Sequence, residues 1–276
     1  MSCNVTFMRR LLTSGKLKVN FNYQMTRRFG LATLLLAGSA ATAHADLRSF
    51  THTYEYATVP AHRTAIEIWH TQTRATTDKA SPNIYEGMLE IEHGLTDHWD
   101  IAFYQVFGQV SGSMDGTGLQ FTEAKLETRY RFAERGEWPI DTLLYFEVAK
   151  EFGESLYEFE AKVIGARDFG DVTVALNAIS EIKVGKDAEE TEPEFGWALG
   201  ATYPVHPKIR IGVETWGVVE EGEVYASAGP AVSLAGASNL WVTLTLGFGV
   251  SEDAREEGEG AEHGYFSGRA IIGIEL

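Results

Sequence analysis

From residue 63 onward the chain alternates in polarity with a period of two, and the stretch 119–133 shows it most clearly. Glu123, Lys125, Glu127, Arg129 and Arg131 fall on one face. Thr122, Ala124, Leu126, Thr128, Tyr130 and Phe132 fall on the other. Successive side chains of a β-strand point to opposite sides, so this is a strand with one ionic and one apolar face. Helical spacing would mix the two sets. The same division recurs in other stretches. Glu86, Glu90 and Glu92 alternate with Gly87, Leu89 and Ile91, and Glu158, Glu160 and Lys162 with Phe159, Ala161 and Val163. Glu181 and Lys183 alternate with Ala178 and Ile182, Arg210 and Glu214 with Ile209, Ile211 and Val213, and Arg269 with Ala270 and Ile272. The stretch 99–108 is apolar on both faces and carries no direction of its own. Pro230 inside a strand predicts a bulge or a strand end, because proline donates no ladder hydrogen bond.

The pattern predicts twelve strands, at 63–74, 85–95, 99–108, 119–133, 142–152, 157–168, 172–184, 195–203, 208–218, 224–234, 240–250 and 264–276. No stretch has a convincing helical period. Connections around 77–81, 111–118, 185–194 and 251–263 are polar or acidic, and several are long. Those at 95–98, 169–171, 204–207 and 236–239 are mostly short turns. Two fit less neatly, since 134–140 is long for a turn position and 153–155 is brief for a loop position. Long loops at one end and short turns at the other are the plan of a transmembrane β-barrel, and an even strand number puts both termini on the turn side. The fold predicted is all-β, a transmembrane antiparallel up-and-down barrel of about 12 strands over 63–276.

The start of the chain fits export. Residues 1–45 carry Arg9, Arg10, Lys16, Lys18, Arg27 and Arg28 and no acid. Arg27 and Arg28, the apolar run 31–41 and Ala43-His44-Ala45 make a secretory signal peptide over 25–45, with cleavage expected before Asp46. The apolar run is too short to span a bilayer as a helix. Residues 1–24 read as an upstream extension or a misassigned start, with Met25 the true one. Residues 46–62 are expected to form an N-terminal periplasmic segment, with 53–56 as a short strand. Beyond residue 45 seventeen lysines and arginines face thirty-nine acids, which excludes nucleic acid as a partner. The single cysteine, Cys3, precedes the signal, so the exported chain has no thiol chemistry and no lipid-anchoring cysteine.

Two solutions share this strand pattern. A soluble barrel turns the charges outward, and a membrane barrel turns them into its lumen. A lipid-facing Arg or Lys at the bilayer midplane costs ~2–4 kcal/mol, so in a membrane the face from Glu123 to Arg131 must be luminal. Aromatics near strand ends are expected as interfacial girdles: Tyr85, Trp99, Tyr130, Phe132, Phe152, Tyr157, Phe195, Tyr203, Tyr225, Trp241 and Tyr265.

The unit from Glu90 to Ile101, with Gly94-Leu95-Thr96-Asp97 between two strands, resembles the strand–turn–strand unit of proteobacterial outer-membrane β-barrel proteins. The likeness is to the porin-like transporter type known from aromatic-compound degradation pathways. It covers 63–276 in plan and only a few turns in motif. It implies an outer-membrane location, passive transport and handling by the barrel-assembly machinery, and it carries over no catalytic residue. The chain departs from that type in ending on Leu276, not on an aromatic residue.

On this reading the lumen is lined by Glu86, Glu90, Glu92, Glu123, Lys125, Glu127, Arg129, Arg131, Glu147, Glu158, Glu160, Lys162, Glu181, Lys183, Arg210, Glu214 and Arg269. Cross-strand ion pairs and an acid-biased channel for small, cationic solutes are equally consistent with that set. The acidic runs 187–194 and 252–259 lack the ordered spacing of a calcium loop and read as solvated surface. No metal site and no cofactor is expected. Catalysis has little support: there is no nucleophile elbow, phosphate loop or zinc-protease motif. The histidines at 52, 62, 70, 93, 98, 206 and 263 are scattered. An outer-membrane hydrolase of lipase type, using His70 or His263 with a loop serine, and a soluble periplasmic binding barrel stay open as alternatives.

Overall fold

The computed structural model describes residues 48–276 apart from 75–82, 112–117, 189–192, 221, 237–238, 253 and 255–264. The expected signal peptide over 25–45 and upstream extension over 1–24 lie outside these residues, as do most of the longest polar connections.

Twelve antiparallel strands close into one barrel, each paired with its sequence neighbours and β1 with β12. They are β1 (Thr64–Arg74), β2 (Asn83–Thr96), β3 (Trp99–Ser111), β4 (Gln120–Arg131), β5 (Asp141–Glu151) and β6 (Leu156–Phe169). Then follow β7 (Val172–Gly185), β8 (Glu194–His206), β9 (Ile209–Glu220), β10 (Glu223–Ala235), β11 (Leu240–Gly249) and β12 (Phe266–Glu275). Closure leaves no strand edge, so every spanning residue can satisfy its backbone within the wall.

The alternation read from the sequence is the alternation of burial. On β4, Glu123, Lys125, Glu127 and Arg129 are buried while Leu126 and Tyr130 are exposed. On β6, Glu158, Glu160 and Lys162 are buried while Tyr157, Phe159 and Val163 are exposed. The ionic face is therefore the inside and the apolar face the outer wall. Register settles β3, whose two apolar faces gave no direction. Asp100, Ala102, Tyr104 and Val106 point in, and Trp99, Ile101 and Phe103 point out.

Several local expectations need correction. Trp241 and Tyr225 are not girdle aromatics. They share the parity of Thr243 and Ser227 and are buried inside, Trp241 against Trp69 and Ile271. Trp99, Tyr130, Phe132, Phe152, Tyr157, Phe195, Tyr203 and Tyr265 are exposed as expected. Residues 53–56 form no strand. Pro230 lies in the middle of β10, at neither a bulge nor an end. The pairing with β11 is interrupted at Gly229 and Pro230 and resumes in the same register, from Ala228↔Phe248 to Ala231↔Thr245.

Residues 48–59 do not sit outside the barrel. They run within it, and Phe50, Thr51, His52, Thr53, Tyr54 and Tyr56 are all buried. Phe50, Tyr54 and Tyr56 form a core with the inward side chains Leu143, Tyr145, Ile164, Ala166, Ala175 and Ala231. The end of the barrel where β1 begins and β12 ends thus contains packed protein.

Candidate functional site

The inner segment is held by the wall chiefly through its backbone. Glu214, mid-way along β9, accepts the backbone N–H groups of Thr51 (2.9 Å), His52 (2.8 Å) and Thr53 (2.8 Å). Three successive N–H groups turned toward one point make an anion-binding concavity, and the carboxylate fills it. Thr245 Oγ1 donates to the same carboxylate at 2.5 Å. Asn177 on β7 makes a reciprocal pair with Tyr54, its Oδ1 accepting the Tyr54 N–H (2.7 Å) and its Nδ2 donating to the Tyr54 carbonyl (2.9 Å). Nearer the exit, Val59 N–H donates to Asp100 Oδ2 (2.8 Å) and Ala61 N–H to Asp97 Oδ1 (3.0 Å). A buried segment without secondary structure needs such partners for its backbone groups.

Two glycines make room for it. Phe50 packs where a side chain at Gly200 would begin, its ring 2.6 Å from that position. A side chain at Gly94 would meet the carbonyls of Val59 and Pro60. His52 lies flat on Trp216, ring centroids 3.6 Å apart.

Around the segment the wall presents charges in ordered rows. Across the ladders Glu127 faces Glu147, Glu147 faces Glu160, Glu160 faces Glu181, and Glu181 faces Glu194. In the other direction Ala102 links Glu127 to Glu92, and Ala65 links Glu92 to Glu275. Strands tilt in a barrel, so a row at right angles to them climbs. Seven carboxylates form a staircase from Glu275, at the end of β12, to Glu194, which opens β8. Like charges directly opposite one another are destabilising. Cations two residues away offset this. Lys125 Nζ lies 3.1 Å from Glu147 and 3.5 Å from Glu123. Lys162 lies 2.7 Å from Glu160, and Lys183 lies 3.4 Å from Glu181 and 3.2 Å from Glu194. Arg129 pairs with Asp100 (2.7 Å), Glu127 (3.2 Å) and Glu92.

Of the residues named from the sequence, Glu90, Glu92, Glu123, Lys125, Glu127, Arg129, Glu147, Glu158, Glu160, Lys162, Glu181, Lys183, Glu214 and Arg269 are buried in the interior. Glu86 is half-buried and lies 3.6 Å from Arg269. Arg131 and Arg210 are half-buried near the terminal end. Arg131 bonds to Thr58 of the inner segment, and Arg210 to Thr173. Sequence reasoning did not single out Asp100, Tyr104, Trp69, Tyr145 or Glu151, all of them inward. Trp69 Nε1 donates to Glu90 (2.9 Å) and Tyr104 to Glu127. Parity with Glu67 and Glu147 would have found Trp69, Tyr145 and Glu151. Among the described residues fourteen buried acids face five buried lysines and arginines.

Glu90, Glu92 and Glu127 bring carboxylate oxygens within 4.8 Å of one another. Arg129, Trp69 and Tyr104 already serve those oxygens, which makes the group an ion-pair core. His70, considered for catalysis, is exposed on the outer wall against Tyr85.

Known structures share this architecture. The COG4313 outer membrane channel from Pseudomonas putida F1 matches with a TM-score of 0.60 at 14% identity, over 82% of this chain and 100% of that one. The NanC porin matches with a TM-score of 0.53 at 9% identity, over 76% of this chain and 98% of that one. The KdgM porin in complex with disordered oligogalacturonate matches with a TM-score of 0.51 at 11% identity, over 77% and 98%. The chain has the fold of outer-membrane porins and channels. No family model and no curated protein matches it by sequence. For this porin-fold chain the likeness is one of backbone plan. Its inner segment and carboxylate staircase are read from its own residues.

Proposed function

We propose that the chain is a non-enzymatic outer-membrane barrel, exported by its signal peptide, that passes or binds small solutes through a charged, acid-biased lumen. The observation that carries this reading is the combination of an apolar outer wall with an ionic interior in one closed barrel. Ile68, Phe103, Leu126, Phe146, Val163, Leu199 and Val213 are among the exposed wall residues, each at least 40% exposed. Such a wall suits lipid and would drive aggregation in water. The seventeen named charges are then lumen-lining groups, and the surplus of carboxylates favours cationic solutes over anionic ones. Outer-membrane lipid is the surrounding partner, and the barrel-assembly machinery acts during biogenesis.

A soluble periplasmic barrel would leave that wall in water, and a hydrolase built on His70 would have its base facing lipid, while His263, the other candidate, lies outside the described residues. Both weigh less for those reasons. Fractionating cells that express the chain tests location: recovery with the outer membrane is expected, and recovery in the soluble periplasm would contradict it. Purified protein in planar bilayers tests passage, with discrete conductance steps expected.

A further inference from the structure

Two cavities lie in the interior among the described residues. One, of about 110 Å³, lies toward the terminal end against Arg48, Glu67, Glu92, Arg129 and Glu275. The other, of about 40 Å³, lies deeper against Trp69, Glu86, Lys125, Glu147 and Arg269. Among the described residues Tyr54 alone lines both. Its ring meets Tyr145 edge-on at 5.1 Å between centroids. Two cations stand over it, the Arg48 guanidinium at 4.7 Å and Lys162 Nζ at 4.4 Å from the ring centroid. Cation–π attraction of this kind strengthens away from water. The residue is only 8% exposed. Its backbone is clamped by the reciprocal pair with Asn177, and the three residues before it by Glu214. Tyr54 thus projects from the inner segment, not from a strand.

We propose that Tyr54 is the gate of this barrel: its ring is the partition between the two cavities and sets what crosses from one to the other. The assignment rests on the porin reading above. Arg48 and Lys162 stabilise the closed position, and Asn177 with Glu214 fixes the hinge side. Small hydrated cations drawn along the carboxylate staircase must pass this ring. A strand-borne aromatic would move only with the wall, whereas a ring on a segment tied by side chains moves when those ties loosen.

The test compares single-channel conductance in planar bilayers for the wild-type chain, Tyr54→Ala, Tyr54→Phe and the double variant Asn177→Ala/Glu214→Ala. Heat-shifted gel migration checks that each barrel is folded. Conductance should rise severalfold in Tyr54→Ala, while Tyr54→Phe, which keeps the ring, should rescue the low wild-type value. If the double variant conducts more and Tyr54→Ala does not, passage runs past the segment elsewhere; the gate assignment falls and the porin reading stands. Equal rises in Tyr54→Phe and Tyr54→Ala would also overturn the gate, since the ring would not be the barrier. Silence of every folded protein would overturn the porin reading and the gate with it.

Discussion

Single residues decide whether the inner segment fits. Gly200 is needed for space, because the Phe50 ring occupies the place of its missing side chain. Gly200→Ala should displace that ring and lower stability by about 1–3 kcal/mol, the usual range for overpacking. The heat-shift temperature of the purified barrel measures this, and adding Phe50→Leu should restore part of the loss. An unchanged temperature in Gly200→Ala would mean that Phe50 is not seated there. At the terminal rim, Glu134 accepts hydrogen bonds from His98 Nε2 (2.8 Å) and from an Arg131 guanidinium nitrogen (3.0 Å). These, with the Arg131 charge, hold its pKa below the ordinary carboxylate value. A depressed carboxylate pKa contributes stability above the unfolded value that is lost as pH falls through the folded one. The difference in thermal transition between wild type and Glu134→Gln should therefore shrink from neutral pH to about pH 3. A difference that is constant with pH would remove Glu134 from the pH response.

At the scale of elements, period-two alternation carried most of the fold. It placed all twelve strands and assigned the inside face on β4 and β6, because each strand has one outer and one interior side. It failed where both faces are apolar, as on β3, where only pairing with β2 and β4 turns Asp100 and Tyr104 inward. It also failed for Trp241, where bulk and position near a strand end suggested an interface and parity put the ring inside. The staircase was invisible because register is a relation between strands, and alternation within one strand does not specify it. The segment 48–59 was illegible for a different reason. It has no secondary structure, and its partners Glu214 and Asn177 lie more than 120 residues away in sequence. The rows make the lysines structural. Lys125 stands between Glu123 and Glu147. Removing one partner of a buried ion pair strands the other charge, so Lys125→Met should cost about 3–5 kcal/mol. Urea titration in detergent reads this. A loss under about 1 kcal/mol would place the pair in the weak, solvent-screened class.

Among the described residues the molecule is an apolar-walled cylinder around an interior that is ionic on its wall and packed with residues 48–59 at one end. On the proposed function the wall sets where the chain resides, and the interior sets what it passes. Structures of the same backbone plan share little sequence with this chain, so the likeness extends to the fold alone. Fourteen buried acids against five buried lysines and arginines among the described residues are the basis of the proposed preference for positive ions. The most direct measurement is the reversal potential of the purified chain in a planar bilayer under a potassium chloride gradient. The predicted result is a potential of the sign set by potassium, shifting toward zero when Glu181 and Glu194 are replaced by glutamine. A reversal potential of the sign set by chloride would contradict the acid-biased lumen on which the proposed function rests.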